Sequence, residues 1–167
     1  LLAAGTGKAE GRCRTFVVRG KDDYVDVIRN EASADFFKIY AYDFVSGRPF
    51  TPKEVEEKET VCVISDALAE RLYGKGVDAL GKTVAIEGSY DLRVVGVLRG
   101  CSQLTPDSYV DIIAPYTLFG IHYGTPYRGL HSVVCTVKDD AHLQALKREL
   151  DDVAARIHQA HPEVLDE

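Results

Sequence analysis

Val61-Cys62-Val63-Ile64 is a continuous apolar run of strand length. Ser65-Asp66 follows it with no spacer and opens a segment in which Leu68 and Leu72 share one helical face until Gly74. A strand that is apolar on both faces has to be covered on both, and a helix that starts at its last residue has to fold back over one of them. The chain is therefore committed to a strand–helix unit inside a layered structure, with Ser65 as the helix N-cap and Gly74 as its stop.

The same reasoning places the remaining elements. Residues 14–18 are β-branched and aromatic, and Gly20-Lys21-Asp22-Asp23 is turn chemistry before a second short run at 24–28, which predicts a hairpin. Ser33 is expected to cap a short helix through Phe36, Phe37 and Ile39, broken by Gly47, Pro49 and Pro52. Thr51-Pro52-Lys53-Glu54 offers a capping hydroxyl, a proline at the first helical position and a glutamate three residues after the cap. That is a capping box, and a short exposed acidic helix should follow it.

Beyond Gly81, residues 83–86 and 92–98 flank the turn residues Glu87-Gly88-Ser89 and predict a second hairpin. Further strands are expected at 109–114, stopped by Pro115, and at 132–137, with a loop over 115–130. Leu143, Leu146, Leu150, Val153 and Ile157 recur at spacings of three and four, so a last helix runs from Asp139 or Asp140 to near Pro162. Its apolar seam suits packing on the sheet ahead of a coiled coil. Strands and helices are interspersed, which predicts an α+β domain: a mixed β-sheet with packed helices.

Composition narrows the function classes only slightly. The 167 residues carry a formal net charge of −6 with both signs spread along the chain, which argues against nucleic acid as a partner. No apolar run approaches the roughly 20 residues that cross a bilayer. The sequence starts at Leu1 with no initiator Met and no basic leader, and reads as a piece of a longer protein.

Each catalytic template fails on a named residue. Gly5-Thr6-Gly7-Lys8 has Leu2 where a phosphate loop needs its first glycine and Ala9 where it needs Ser or Thr. Gly74-Lys75-Gly76 follows a helix instead of preceding one. Ser65 lacks the flanking glycines of a nucleophile elbow. His158 and His161 can share a helix face, but with His122, His131 and His142 distant in sequence they lack further ligands for a metal. The pairs Asp22-Asp23, Asp139-Asp140 and Asp151-Asp152 are adjacent, so their carboxylates diverge. Cys13, Cys62, Cys101 and Cys135 show no metal or redox spacing. Cys62 and Cys135 read as buried strand residues, and a disulfide stays open among three pairings.

Residues 32–100 resemble the periplasmic core domain of MacB/FtsX-type ABC transporter permeases. The likeness rests on four fragments in order: Ser33-Ala-Asp-Phe36-Phe37 leading through Phe44 to Gly47-Arg48-Pro49-Phe50; the stretch from Val61 to Gly74; Leu80-Gly81-Lys82-Thr83; and Val94-Val95-Gly96-Val97. The 109–116 segment and the last helix also suit the family. Only 32 residues precede Ser33, fewer than the family usually has, so the first lobe is expected to be reduced or incomplete.

The resemblance implies a porter-like lobe formed by 1–31 and 114–167 with a second α+β lobe, 32–113, inserted in it. It implies a non-catalytic domain in the periplasm or extracytoplasmic space, on a protein of the cytoplasmic (inner) membrane, passing ATPase-driven motion to a cargo or adaptor. It implies no cofactor on this domain, ATP on a partner ATPase subunit, and a second permease subunit beside it. Under it Gly47, Gly74, Gly81 and Gly96 set turns or close approaches, Arg48 belongs to the Gly-Arg motif, and Phe36, Phe37 and Phe50 pack the lobe. Two other readings remain: a secreted hydrolase using Ser65 or His131, and a small-ligand module using Tyr116, Tyr123 and Tyr127.

Overall fold

β5 (Val61–Ser65) is buried at every residue because β7 (Asp91–Leu98) lies parallel on one side of it and β8 (Ile112–Pro115) antiparallel on the other. The computed structural model describes residues 2–5, 15–19, 24–40, 42–86, 91–100, 110–118, 132–135 and 139–160. β1 (Leu2–Gly5), β2 (Thr15–Arg19) and β3 (Tyr24–Ala32) precede α1 (Phe36–Tyr40), β4 (Phe44–Gly47) and α2 (Pro52–Glu56). After β5 come α3 (Asp66–Tyr73) and β6 (Thr83–Ala85); a 3-10 turn, Tyr116–Leu118, follows β8, and β9 (Ser132–Cys135) and α4 (Asp140–Ala160) complete the order.

The sheet runs β4-β7-β5-β8-β3-β1-β9, with β2 joined to β3 and β6 to β7. β3 and β8 pair in parallel and β2 and β3 antiparallel, so the sheet is mixed and the domain is α+β, as its interspersed pattern required. An isolated bridge, Val18↔Ile86, brings β6 against β2. The strands β2-β3-β8-β5-β7-β6 thus form a closed ring.

The ring's interior is one of two apolar cores. Val18, Val25, Val27, Ile64, Val84, Leu92, Val94 and Ile112 fill it, and Leu68 and Leu72 of α3 pack into the same cluster. The second core lies among Val61, Val63, Val95, Leu98 and Ile113, together with Phe36 and Phe37 of α1, Phe50, and Val55 of α2. Alternation along β5 explains the division: Cys62 and Ile64 belong to the first core, Val61 and Val63 to the second.

Several local readings shift. α1 begins at Phe36, one turn after Ser33, whose carbonyl accepts the Phe36 N–H at 3.1 Å. β4 forms where proline and glycine read only as breakers. β8 begins at Ile112, and of the segment before it Val110 and Asp111 are described. The helix expected to be exposed is so at Pro52, Lys53 and Glu56; Glu54 and Val55 are buried. The turns at 20–23 and 87–89, the 119–130 loop and residues 136–137 lie outside the described residues.

By compactness the chain forms one unit of Leu2–Val134 and another of Leu1 with Cys135–Glu167. β3 and β8 pair across the boundaries drawn at 31/32 and 113/114, and Val18, Val25 and Val27 share one core with Ile64, Leu68, Val84 and Leu92 of 32–113. In the C-terminal unit Asp139 is the N-cap of α4: its Oδ1 accepts the His142 N–H at 2.9 Å and its carbonyl the Leu143 N–H at 3.0 Å. Leu150 and Val153 on α4 are exposed.

Candidate functional site

β7 is the strand on which the distant motif fragments meet. At its Val94, the Gly81 N–H donates to the Val94 carbonyl and the Val94 N–H to the Lys82 carbonyl, both at 2.8 Å. At Val95, the Arg48 N–H donates to the carbonyl at 3.0 Å. At Gly96, β4 ends in register with Gly47 opposite. Three consecutive residues of one strand therefore hold the 80–83 turn and the 47–50 corner.

The close approach at that corner requires glycine on both sides. A Cβ on Gly47 would lie 2.3 Å from the Val95 carbonyl oxygen and 2.6 Å from Leu80 Cδ2, and its φ of +72° disfavours any other residue. A Cβ on Gly96 would lie 2.4 Å from the Arg48 carbonyl oxygen and 2.8 Å from Phe44 Cε1. Gly81, at φ +73°, has open space around it and answers only to its turn. Gly74 ends α3 at φ +99°, its N–H donating to Glu70 at 2.9 Å.

From the corner, Arg48 reaches forward to the first turn of α2. Its Nη1 and Nη2 donate to Glu54 Oε2 and Oε1, each at 2.8 Å, in a bidentate pair. Oε2 also accepts the Thr51 N–H at 2.7 Å and the Thr51 hydroxyl at 2.9 Å, while Thr51 Oγ1 accepts the Glu54 N–H at 3.2 Å. The predicted capping box is formed, and Arg48 completes it. Bonded first by Arg48 and then by Thr51, against an opposing cost of burial, the Glu54 carboxyl falls from its ordinary 4.5 to about 2. The Arg48 guanidinium is pushed up by the same contact. A carboxylate that already accepts four donors is occupied as an acceptor, so Glu54 serves as a positioning group and not as a base.

Beneath the corner sits a cluster of rings. Phe37 meets Phe50 edge-on at 4.9 Å, Phe44 at 5.8 Å and Phe36 at 6.0 Å; Phe36 stacks on Tyr42 at 5.9 Å and lies 4.6 Å from Tyr40. Phe36, Phe37 and Phe50, predicted as lobe packing, are buried there. Tyr40, Tyr42 and Phe44 complete the cluster. Their recurrence every two or three residues from Phe37 was the available signal.

The remaining candidates stand apart from the corner. Ser65 is buried, and its Oγ accepts the Leu68 N–H at 3.1 Å, which makes it a helix cap. Cys62 is a buried free thiol that burial pushes up to about 12. His142 Nδ1 lies 2.7 Å from Asp139 Oδ1. Tyr116 is partly buried against the second core. His122, His131, His161, Tyr123, Tyr127, Cys13 and Cys101 lie outside the described residues, as do the side chains of Cys135 and His158. Among the described residues no cluster of His, Cys, Asp or Glu could hold a metal ion, and no helix is long and apolar enough to cross a membrane.

Arg29 and Glu31 escaped sequence reasoning altogether. They lie on the β3 face that also carries Val25 and Val27, and their buried side chains pair at 3.0 Å. The strand's period of two, continued past Ile28, would have placed both residues inside.

The model of the MacB-like periplasmic core domain family matches residues 4–153. The "Probable syringafactin export ATP-binding/permease protein SyfD" of Pseudomonas syringae pv. tomato is 26% identical over 147 residues, 87% of this chain and 22% of that protein. The chain thus spans about a fifth of the length of that relative. The periplasmic region of MacB from Actinobacillus actinomycetemcomitans superposes with a TM-score of 0.74 at 16% identity, covering 95% of this chain and 67% of that one. The extracellular domain of the ABC-type transporter YknZ from Gram-positive bacteria gives 0.67 at 20% identity, covering 86% and 68%. Both are likenesses of fold.

Proposed function

The chain belongs to the family of MacB-like periplasmic core domains, and from that premise we propose that it is the extracytoplasmic, non-catalytic part of an inner-membrane ABC export permease that transmits motion. A partner ATPase subunit or domain hydrolyses ATP, a second permease subunit stands beside this one, and the domain passes their movement to a periplasmic adaptor or cargo. The naming of the syringafactin relative as an export ATP-binding/permease protein supports an ATPase partner. The porter-like lobe of 1–31 and 114–167 and the inserted lobe of 32–113 belong to the same proposal, sharing the core inside the ring as well as the β3–β8 ladder.

The observation that carries the reading is the convergence on β7. A domain that passes on a displacement must not absorb it; the 80–83 turn and the glycine corner are fixed to three successive residues of one strand, and Arg48 ties that corner to α2 through Glu54. Two rigid arrangements that bind adaptor or cargo differently would then do the work. Gly96→Ala in the full-length transporter tests this. Export should be lost while ATP hydrolysis in membranes continues. Export at the wild-type level would overturn it.

A further inference from the structure

Among the described residues the ring closes through its shortest pairing. β2 and β3 pair at five successive positions from Thr15↔Ile28 to Arg19↔Tyr24, β5 and β7 at five across a register shift, β3 and β8 at four, β6 and β7 at three, and β5 and β8 at two. Between β2 and β6 the described residues hold one bridge, Val18↔Ile86. Both partners are buried, in the core that also contains Val25, Val27, Val84 and Leu92. A ladder of several pairs resists separation along its length, whereas a seam held by side-chain burial at one bridge separates in a single event.

We propose that the β2–β6 seam is a clasp, the line along which the ring opens and recloses while the other ladders stay paired. The β2–β3 hairpin then moves as one piece. Burial of Val18 and Ile86 holds the clasp shut, and opening bares one edge of β2 and one of β6. The inference rests on strand pairing and not on the transport reading, so either can fail alone.

Amide hydrogen exchange on this chain, wild type and Val18→Ala, tests it. In the wild type the seam-facing amides of β2 and β6 should exchange at least about tenfold faster than those of β5. Val18→Ala should accelerate β2 and β6 together by roughly tenfold more and leave β5 and β8 unchanged. Should Val18→Ala not fold, Ile86→Val removes one methyl from the other side of the clasp and should give the same paired response, smaller. β2 amides as slow as those of β5 would overturn the proposal. So would an equal acceleration of every strand, because the seam would then have no opening of its own.

Discussion

Glu54→Gln removes the charge from the corner and keeps the side chain's shape. Oε2 of the glutamate accepts three donors and Oε1 one. The amide of glutamine turns N–H groups toward some of those same donors. The lowering of the carboxyl from 4.5 to about 2 corresponds to about 3 kcal/mol of preference for the ionised form in the fold. Arg48 is half exposed, its side chain at 52%, so solvent screens part of this and about 2 kcal/mol is the expected loss. At neutral pH that moves a urea midpoint down by roughly 1 M. Because the folded value lies below the unfolded one, the contribution is complete above the unfolded value, 4.5, and is lost as pH falls from there toward 2. The gap between wild type and variant should therefore be widest at neutral pH and shrink to about half or less by pH 3. Urea titrations at a series of pH values measure it. Equal midpoints at pH 7, or a gap that does not narrow in acid, would refute the reasoning.

The paired glycines and the lone one should separate cleanly. Gly96→Ala, whose Cβ would meet the Arg48 carbonyl at 2.4 Å, should cost at least ~3 kcal/mol, and Gly81→Ala, with open space and only a positive φ, about 1 kcal/mol; thermal melts of the two variants read this order. Phe37→Ala should cost about 3–5 kcal/mol, as for other buried rings, with a matching loss of cooperativity in near-UV circular dichroism. Cys62, with its thiol pushed up to about 12 by burial, should resist a maleimide at pH 7 in the folded chain and react on denaturation; labelling at the same rate in both states would contradict its placement.

Much of the local structure was legible because its determinants are local. The capping box at Thr51–Glu54, the Ser65 cap and the Gly74 stop follow from backbone donors that neighbours alone can satisfy. Pairings between distant segments were not legible. β4 was hidden because Gly47, Pro49 and Pro52 signal interruption, and its reason for forming is Gly96, some fifty positions away. Arg48 gave no sign that its partner would be the capping glutamate itself. The resemblance grouped Gly47, Gly74, Gly81 and Gly96 by their order along the chain. The structure gives the physical reason for three of them, since Gly96 lies on β7 and Gly47 and Gly81 meet that strand beside it, while Gly74 ends α3.

The gene on either side of Leu1 and Glu167 tests the central claim most directly. Translation should give apolar helices of roughly 20 residues on both flanks, placing this domain between membrane spans of a permease. A cleavable leader just before Leu1 with a stop soon after Glu167 would contradict the account and leave a secreted protein.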